Sequence, residues 1–381
     1  MANHDDGGSS RRDFLRAAGS ALLASPLLAR PALGQVPDLE LPEPPGRKLG
    51  WAVVGLGRLA INQILPAMAG CRRSAVTALV SGRPEKAKRL AQVFGVDPKN
   101  LYDYDNYDSI ARNPAVDVVY VVLPNSMHAE YTIRALEAGK HVLCEKPMAN
   151  TPADCERMIA AARASGRKLM IAYRLHYEPH NQALVKFARD PQQEGPTQLI
   201  LADAGFNIGD PTQWRLRRAM AGGGSLMDIG IYALQAARYL SGEEPVSVNA
   251  MTFSTPGDVR FKEVEEHVTF QLRFPSGILA NCSSSYGAGL NRFRVVKRTG
   301  WAELEPALNY TGIRMRAWRG GVLQDVPQRT VDHFAAEMDH FSECIQTGAD
   351  PRTPGEEGLR DLRIMMAIYE AARSGRAVPL A

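Results

Sequence analysis

The stretch Lys48-Leu49-Gly50-Trp51-Ala52-Val53-Val54-Gly55-Leu56-Gly57-Arg58-Leu59-Ala60 decides the fold of this chain. Its first half is a short, mostly apolar run suited to a strand buried on both faces. Its second half reads G-x-G-x-x-A, and Ile61, Ile64, Leu65 and Met68 follow at helical spacing. Strand, glycine turn and helix, in that order, form the setting in which this motif holds a dinucleotide. Gly55 permits the tight turn, Gly57 lets main chain approach a pyrophosphate, and small Ala60 lets the helix pack on the strand. Leu56, Arg58 and Leu59 complete the turn, whose helix start offers free N–H groups to phosphate.

The alternation continues downstream. Val76–Val80 reads as a strand ending at Ser81-Gly82-Arg83, and a helix is expected from Pro84 to Phe94. Val116–Leu123 is a β-branched strand stopped by Pro124-Asn125-Ser126. A helix from Met127 to Ala138 and a strand from His141 to Cys144 follow. This pattern predicts an α/β Rossmann domain, a doubly wound parallel sheet, over 48–172. Ligands of such sheets bind beyond the carboxyl ends of the strands. Gly55, Ser81, Leu123-Pro124-Asn125 and Glu145-Lys146-Pro147 therefore converge on one crevice. An NAD-selective site places Asp or Glu after the second strand; here stand Ser81, Arg83 and Lys86. Their donors and positive charge suit a 2′-phosphate, so NADP(H) is the expected cofactor. The alternative to that reading is that Arg83 and Lys86 are only solvated residues at a helix start.

The chain has 381 residues, more than one hydrophobic core usually holds. After about Tyr173 the pattern shifts to strand-like runs at Gln198–Asp203, Val246–Ser254, His267–Phe274, Gly277–Ser285 and Phe293–Lys297. Asp332–Ile345 and Glu356–Ala372 look helical, the last returning to the first domain. A second, α+β domain over 173–381 follows. Net charge is +4 with no basic block interleaved with aromatics, so no nucleic-acid partner is expected. Five scattered cysteines without a Cys-x-x-Cys pair argue against a disulfide framework and a zinc site. His141 and His176 lack a second ligand at metal spacing, so no metal is expected.

The first residues read as an address. Ser10-Arg11-Arg12-Asp13-Phe14-Leu15-Arg16 precedes a mild apolar run, Ala17–Ala29, too short to span a bilayer or anchor there. Residues 1–35 resemble a twin-arginine signal, and its export machinery is an expected partner. That route carries folded proteins, which suits a chain that takes its nucleotide with it to the periplasm. Folding in a reducing compartment also leaves cysteines unpaired. The Pro-rich stretch 36–47 reads as an extended arm on a partner subunit or as a plain linker.

A Rossmann domain with a strand ending in Glu145-Lys146-Pro147 resembles the Gfo/Idh/MocA family of sugar and polyol oxidoreductases. Leu123-Pro124-Asn125-Ser126-Met127-His128, Tyr173 to Tyr177, Gln213 to Arg218, Gly222 to Tyr232 and Thr353 to Gly358 are similar to its glucose–fructose oxidoreductase branch. The resemblance covers nearly all of 36–381. It implies a second domain built on a large, open, mostly antiparallel sheet for substrate and subunit contact, hence a homo-oligomer, dimer or tetramer. It also implies Arg174, Trp214, Arg215, Tyr104 and His128 near nucleotide or sugar, although packing and structural ion pairs explain these residues nearly as well.

Oxidising an aldose at its anomeric carbon needs a base for the hydroxyl proton, while the nucleotide carries the redox chemistry. Lys146 and Tyr232 are the candidates. A tyrosine ordinarily titrates near ~10, and an adjacent ammonium favours the phenolate. Asp228, four residues before Tyr232 on an expected helix, shares its face and could orient the sugar or hold Lys146 charged. Ser225 is the expected cap of that helix. The resemblance implies a ping-pong cycle: an aldose becomes a lactone or aldonic acid, then a second sugar, an aldose or a ketose such as fructose, is reduced to the alditol by the same bound NADP(H). Two rival readings remain open: an exported NAD(P)-dependent glycoside hydrolase of the same family, and a non-catalytic sugar-binding protein.

Overall fold

The computed structural model describes residues 46–380. The expected signal segment and residues 36–45 of the expected arm lie outside the described residues.

Six parallel strands form the first sheet: β1 (Leu49–Val54), β2 (Ser74–Val80), β3 (Leu101–Tyr102), β4 (Val118–Val121), β5 (His141–Glu145) and β6 (Leu169–Ala172). Their order is β3-β2-β1-β4-β5-β6. Because every pair is parallel, all six carboxyl ends lie along one edge, and the order reverses between β1 and β4. Trp51–Val54 and Val118–Val121 are fully buried, as their unbroken apolar runs require. The crossovers are helices α1 (Leu65–Gly70), α2 (Pro84–Phe94), α3 (Asn125–Glu137) and α4 (Pro152–Ser165). A wide turn with i→i+5 bonding, Ala60–Ile64, leads into α1.

The second sheet has nine strands: β7 (Thr197–Gly205), β8 (Ser247–Phe253), β9 (His267–Arg273), β10 (Leu279–Ser285), β11 (Leu290–Lys297), β12 (Trp301–Leu304), β13 (Met315–Arg319), β14 (Val322–Asp325) and β15 (Val378–Pro379). Their order is β14-β13-β12-β11-β7-β10-β9-β8-β15, and only β7 and β10 run parallel. The α/β Rossmann fold with a mostly antiparallel open sheet is thus as expected. Helices α5 (Pro179–Arg189), α6 (Arg218–Ala221), α7 (Ile231–Ser241), α8 (His333–Thr347) and α9 (Gly355–Ser374) complete the chain. Helices α7 and α9 pack on one face of the sheet, and α9 also packs on α4 and β6. Helix α8 covers the first sheet, where the Trp51 indole donates to Ser342 Oγ at 3.1 Å.

Strands β3, β6, β12, β13, β14 and β15 go beyond the sequence reading. The segment expected as a plain helix around Asp228 also differs. Leu226–Gly230 is a second wide turn, and α7 starts only at Ile231. Ser225 does not cap it; its hydroxyl pairs with Ser284 Oγ at 3.0 Å. The Glu265 carboxylate does that work from across the sheet, accepting the amides of Gly224 at 2.9 Å and Leu226 at 3.1 Å.

Candidate active site

The glycine turn fits the pyrophosphate of a dinucleotide. Gly55 has φ +94°, and a Cβ there would sit 2.2 Å from the Val122 carbonyl oxygen, so only glycine lets β1 turn this close to β4. At Gly57 a Cβ would meet nothing within 4 Å, which leaves open space over the backbone. The Gly57 carbonyl accepts the first bond of the turn from Ile61 at 3.0 Å, so the amides before Ile61 stay available for an anion. Leu56 and Ala60 are buried beneath, while Arg58 is exposed.

At the end of β2 the expected phosphate-binding residues separate by role. The Ser81 hydroxyl accepts the Arg83 amide at 3.1 Å and shapes the turn. Lys86 Nζ donates to the Leu56 carbonyl at 3.1 Å, bracing the glycine loop. Arg83 is exposed and makes no salt bridge among the described residues, so its charge faces the space beyond β2. Tyr104 stands over Gly82, its ring 3.0 Å from where a Cβ would be.

The β4 end is partly structural. Asn125 is buried and its amide nitrogen donates to the Ala221 carbonyl at 2.9 Å. Leu123 and Met127 pack into the core, and Pro124 and Ser126 stay accessible. His128, expected near the nucleotide, has both ring nitrogens taken up by backbone carbonyls. It is 1% exposed, with its two ring nitrogens 2.8 Å from the carbonyls of Leu123 and Pro147. It ties the β4 and β5 ends together, and burial pushes it below the usual histidine range.

At the β5 end the expected catalytic residues meet. Lys146 Nζ donates to the Asp228 carbonyl at 2.6 Å and lies 3.4 Å from Asp228 Oδ1. It also sits 4.7 Å from the Tyr232 ring centroid, so ammonium and phenol meet face-on rather than head-on. Burial alone would lower Lys146, but Tyr232, Asp228 and Glu145 outweigh it and hold it above the usual lysine range. Asp228 Oδ2 accepts Arg215 Nε at 2.9 Å and the Tyr286 hydroxyl at 3.0 Å. Burial would raise Asp228, yet Arg215, Lys146 and Tyr286 prevail and keep it below the usual aspartate range. Trp214 stacks on the Arg215 guanidinium, 4.6 Å from the ring centroid.

Arg174 is 5% exposed and is spent on protein partners rather than open to a nucleotide. Its Nε donates to the Tyr232 oxygen at 3.2 Å, and its other nitrogens donate to the carbonyls of Leu308 at 2.5 Å and Asn309 at 3.4 Å. Since guanidinium only donates, the Tyr232 oxygen accepts there, and its own hydrogen stays free for a ligand. Glu145 is buried, takes the Tyr120 hydroxyl at 2.9 Å, and is pushed up by burial. Sequence reasoning missed Tyr286, Glu265 and Tyr120. Only Tyr286 carried a signal, as an aromatic just past the end of an expected strand.

Comparison with known proteins agrees with this geometry. The model of an oxidoreductase family with an NAD-binding Rossmann fold, Gfo/Idh/MocA, matches residues 49–173, and that of its C-terminal domain matches residues 195–303. A D-xylose 1-dehydrogenase [NADP(+)] of Haloarcula marismortui is 33% identical over 87% of this chain and 92% of its own length. The chain belongs to the Gfo/Idh/MocA oxidoreductase family. The crystal structure of an aldose–aldose oxidoreductase from Caulobacter crescentus, complexed with glycerol, superposes with a TM-score of 0.86 and 53% identity, covering 88% of this chain and all of that one. A 3-ketoreductase from Actinomadura kijaniata in complex with NADP and TDP-benzene is 26% identical, with a TM-score of 0.76 over 85% of this chain and 98% of its own.

Proposed function

We propose that this oxidoreductase is NADP-dependent, acts on aldoses at the anomeric carbon, and keeps its nucleotide through two half-reactions. The carrying observation is the assembly of Lys146, Tyr232 and Asp228 at the β5 end of a Rossmann sheet, in a chain 53% identical to an aldose–aldose oxidoreductase. Ser81, where an NAD-selective site places Asp or Glu, and the exposed Arg83 beside it support NADP over NAD.

A bound nicotinamide would supply the hydride acceptor for one sugar and the hydride donor for the next. The protein supplies the rest. Gly55–Ala60, Ser81, Arg83 and the strand ends hold the nucleotide. Lys146, kept as an ammonium, is not the base; it sets positive charge against the Tyr232 ring and the sugar. Tyr232, as the phenolate that the Arg174 and Lys146 cations stabilise, takes the proton of the anomeric hydroxyl and becomes the phenol. In the second half-reaction the same oxygen returns a proton to the alkoxide of the reduced sugar. Asp228 orients Lys146 and Arg215.

The twin-arginine segment supports export to the periplasm. The five described cysteines, all buried and unpaired, are in keeping with folding before export. A retained nucleotide suits a compartment that does not supply NADPH. The second sheet's uncovered face supports a homo-oligomer.

Purified protein given one aldose and no added nucleotide should form aldonate and alditol in equal, multiple-turnover yield. Oxidised product limited to one equivalent would require a different acceptor, fructose first. Release of the aryl group from an aryl glycoside, with no aldonate, would replace this reading by the hydrolase.

A further inference from the structure

A cavity of about 640 Å³ lies between α5, the end of β13, α8 and the segment that joins β14 to α8. Gly55, Lys146, Asp228 and Tyr232 do not line it, so it is distinct from the strand-end crevice. Its polar wall is made of cations and amides. Gln182 and Lys186 stand four apart on α5 and share one face. Gln193 follows that helix, Arg319 ends β13, and Gln328 and Arg329 come from the joining segment. Phe187 and Met315, both buried, add apolar surface.

No carboxylate lines this cavity. Lys186, Arg319 and Arg329 all do, and none of the three makes a salt bridge among the described residues. The Arg319 guanidinium lies 5.0 Å from the Phe187 ring centroid, and its Nε is dry and without a hydrogen-bond partner among the described residues. Buried donors are ordinarily bonded; here an aromatic ring holds the fork and the protein brings it no acceptor. The nearby acids are engaged elsewhere. Asp190, one turn after Lys186, accepts the Gln193 side-chain amide at 2.8 Å and the Gln192 main-chain amide at 3.0 Å. Glu194 accepts the Thr299 hydroxyl at 2.5 Å. Lys297, 4.8 Å from the Phe187 ring centroid, adds a further positive charge, and its Nζ donates only to the carbonyls of Phe187 at 2.9 Å and Asp190 at 2.6 Å.

We propose that this cavity is a second ligand site, which takes a monosaccharide-sized anion: a polyhydroxylated molecule bearing one carboxylate or phosphate. Its volume is in the range of small-molecule sites. A guanidinium fork matches either anion with two parallel bonds, and Lys186 and Arg329 add charge beside it. Gln182 and Gln193 each spend their amide nitrogen on the protein, at the His176 carbonyl and the Asp190 carboxylate. Their amide oxygens are left to accept from hydroxyl groups. A neutral sugar would meet the amides but leave the cations unused, so the anionic group decides the affinity.

Calorimetry on the full chain in chloride buffer tests this with gluconate, sorbitol 6-phosphate and neutral sorbitol. None of these has an anomeric carbon to oxidise, so a failure of the function argued above would leave the result readable. At least one anion should bind saturably, about tenfold or more tighter than sorbitol, and more weakly as salt rises. Binding of gluconate alone would assign a sugar acid, and of sorbitol 6-phosphate alone a sugar phosphate. Arg319→Gln should weaken that anion about tenfold, the loss of a charge-assisted hydrogen bond. Lys186→Gln and Arg329→Gln, at exposed positions, should each weaken it about threefold with Tm and aldose oxidation unchanged. They keep the test decisive if Arg319→Gln folds poorly. The proposal is overturned if neither anion binds, if sorbitol binds as tightly as both, or if the affinity is undiminished in the folded variants.

Discussion

Tyr232 offers one oxygen and one ring face, and two cations use them separately: Arg174 takes the oxygen and Lys146 the face. Tyr232→Phe should therefore leave Lys146 seated while removing proton transfer. We expect kcat for aldose oxidation to fall about 10²–10⁴-fold, with KM changing little, in steady-state assays of the loaded enzyme. Asp228 acts on stability as well. Its carboxyl is lowered when folded, so its contribution is complete above the unfolded aspartate value of about 4 and is lost as pH falls through the lower folded value. Asp228→Asn leaves Lys146 and Arg215 facing each other unpaired and should cost about 3 kcal/mol in denaturant unfolding at pH 7. At the nucleotide end, Arg83→Ala should weaken NADP(H) binding about tenfold, the loss of one charge-assisted hydrogen bond, and leave NAD(H) almost unchanged by calorimetry. Lys146, Asp228 and Tyr232 were legible because two short motifs carry them. His128 and Arg174 were legible as part of the site but not in their contacts, since a motif names a residue and not the direction its side chain takes.

Elements deliver these side chains, and two turns matter most. The Gly55 turn is set by its +94° φ and the Val122 carbonyl. Gly55→Ala should destabilise the protein by more than 1 kcal/mol and prevent isolation of the enzyme with bound nucleotide, which absorbance of the released cofactor would reveal. This turn was readable from sequence because strand, glycines and helix are adjacent in the chain. The Asp228 turn was not. Its wide Leu226–Gly230 geometry is held by Glu265, which lies far away in sequence, and Tyr369 braces Glu265 Oε1 at 2.9 Å. No local pattern carries that information. The unread strands have a related cause: β3 and β15 are two residues long, and β14 is exposed throughout, so none shows the alternation by which a strand is recognised.

For the whole molecule, the second sheet shows one covered face and one bare face among the described residues. On β9, Val268, Phe270 and Leu272 are buried, while Thr269, Gln271 and Arg273 are exposed. The bare face also carries large apolar groups, with Met251 75% and Leu279 50% exposed on β8 and β10. Alternation along these strands made the sheet legible; its partner was not, because a sequence shows that a face is apolar and not what covers it. Apolar residues grouped on an open sheet are the usual mark of a protein interface, and a second copy of this chain offers the same face in a two-fold, self-complementary contact. Paired Met251→Glu and Leu279→Glu would bring four carboxylates into such a contact, at a cost no rim interaction offsets. Light scattering should then give the monomer mass for the double variant and a multiple of it for the parent. The described residues named in the strand-end crevice all come from one chain, so the monomeric variant should retain aldose oxidation. An unchanged mass would mean that the face meets something other than its own copy.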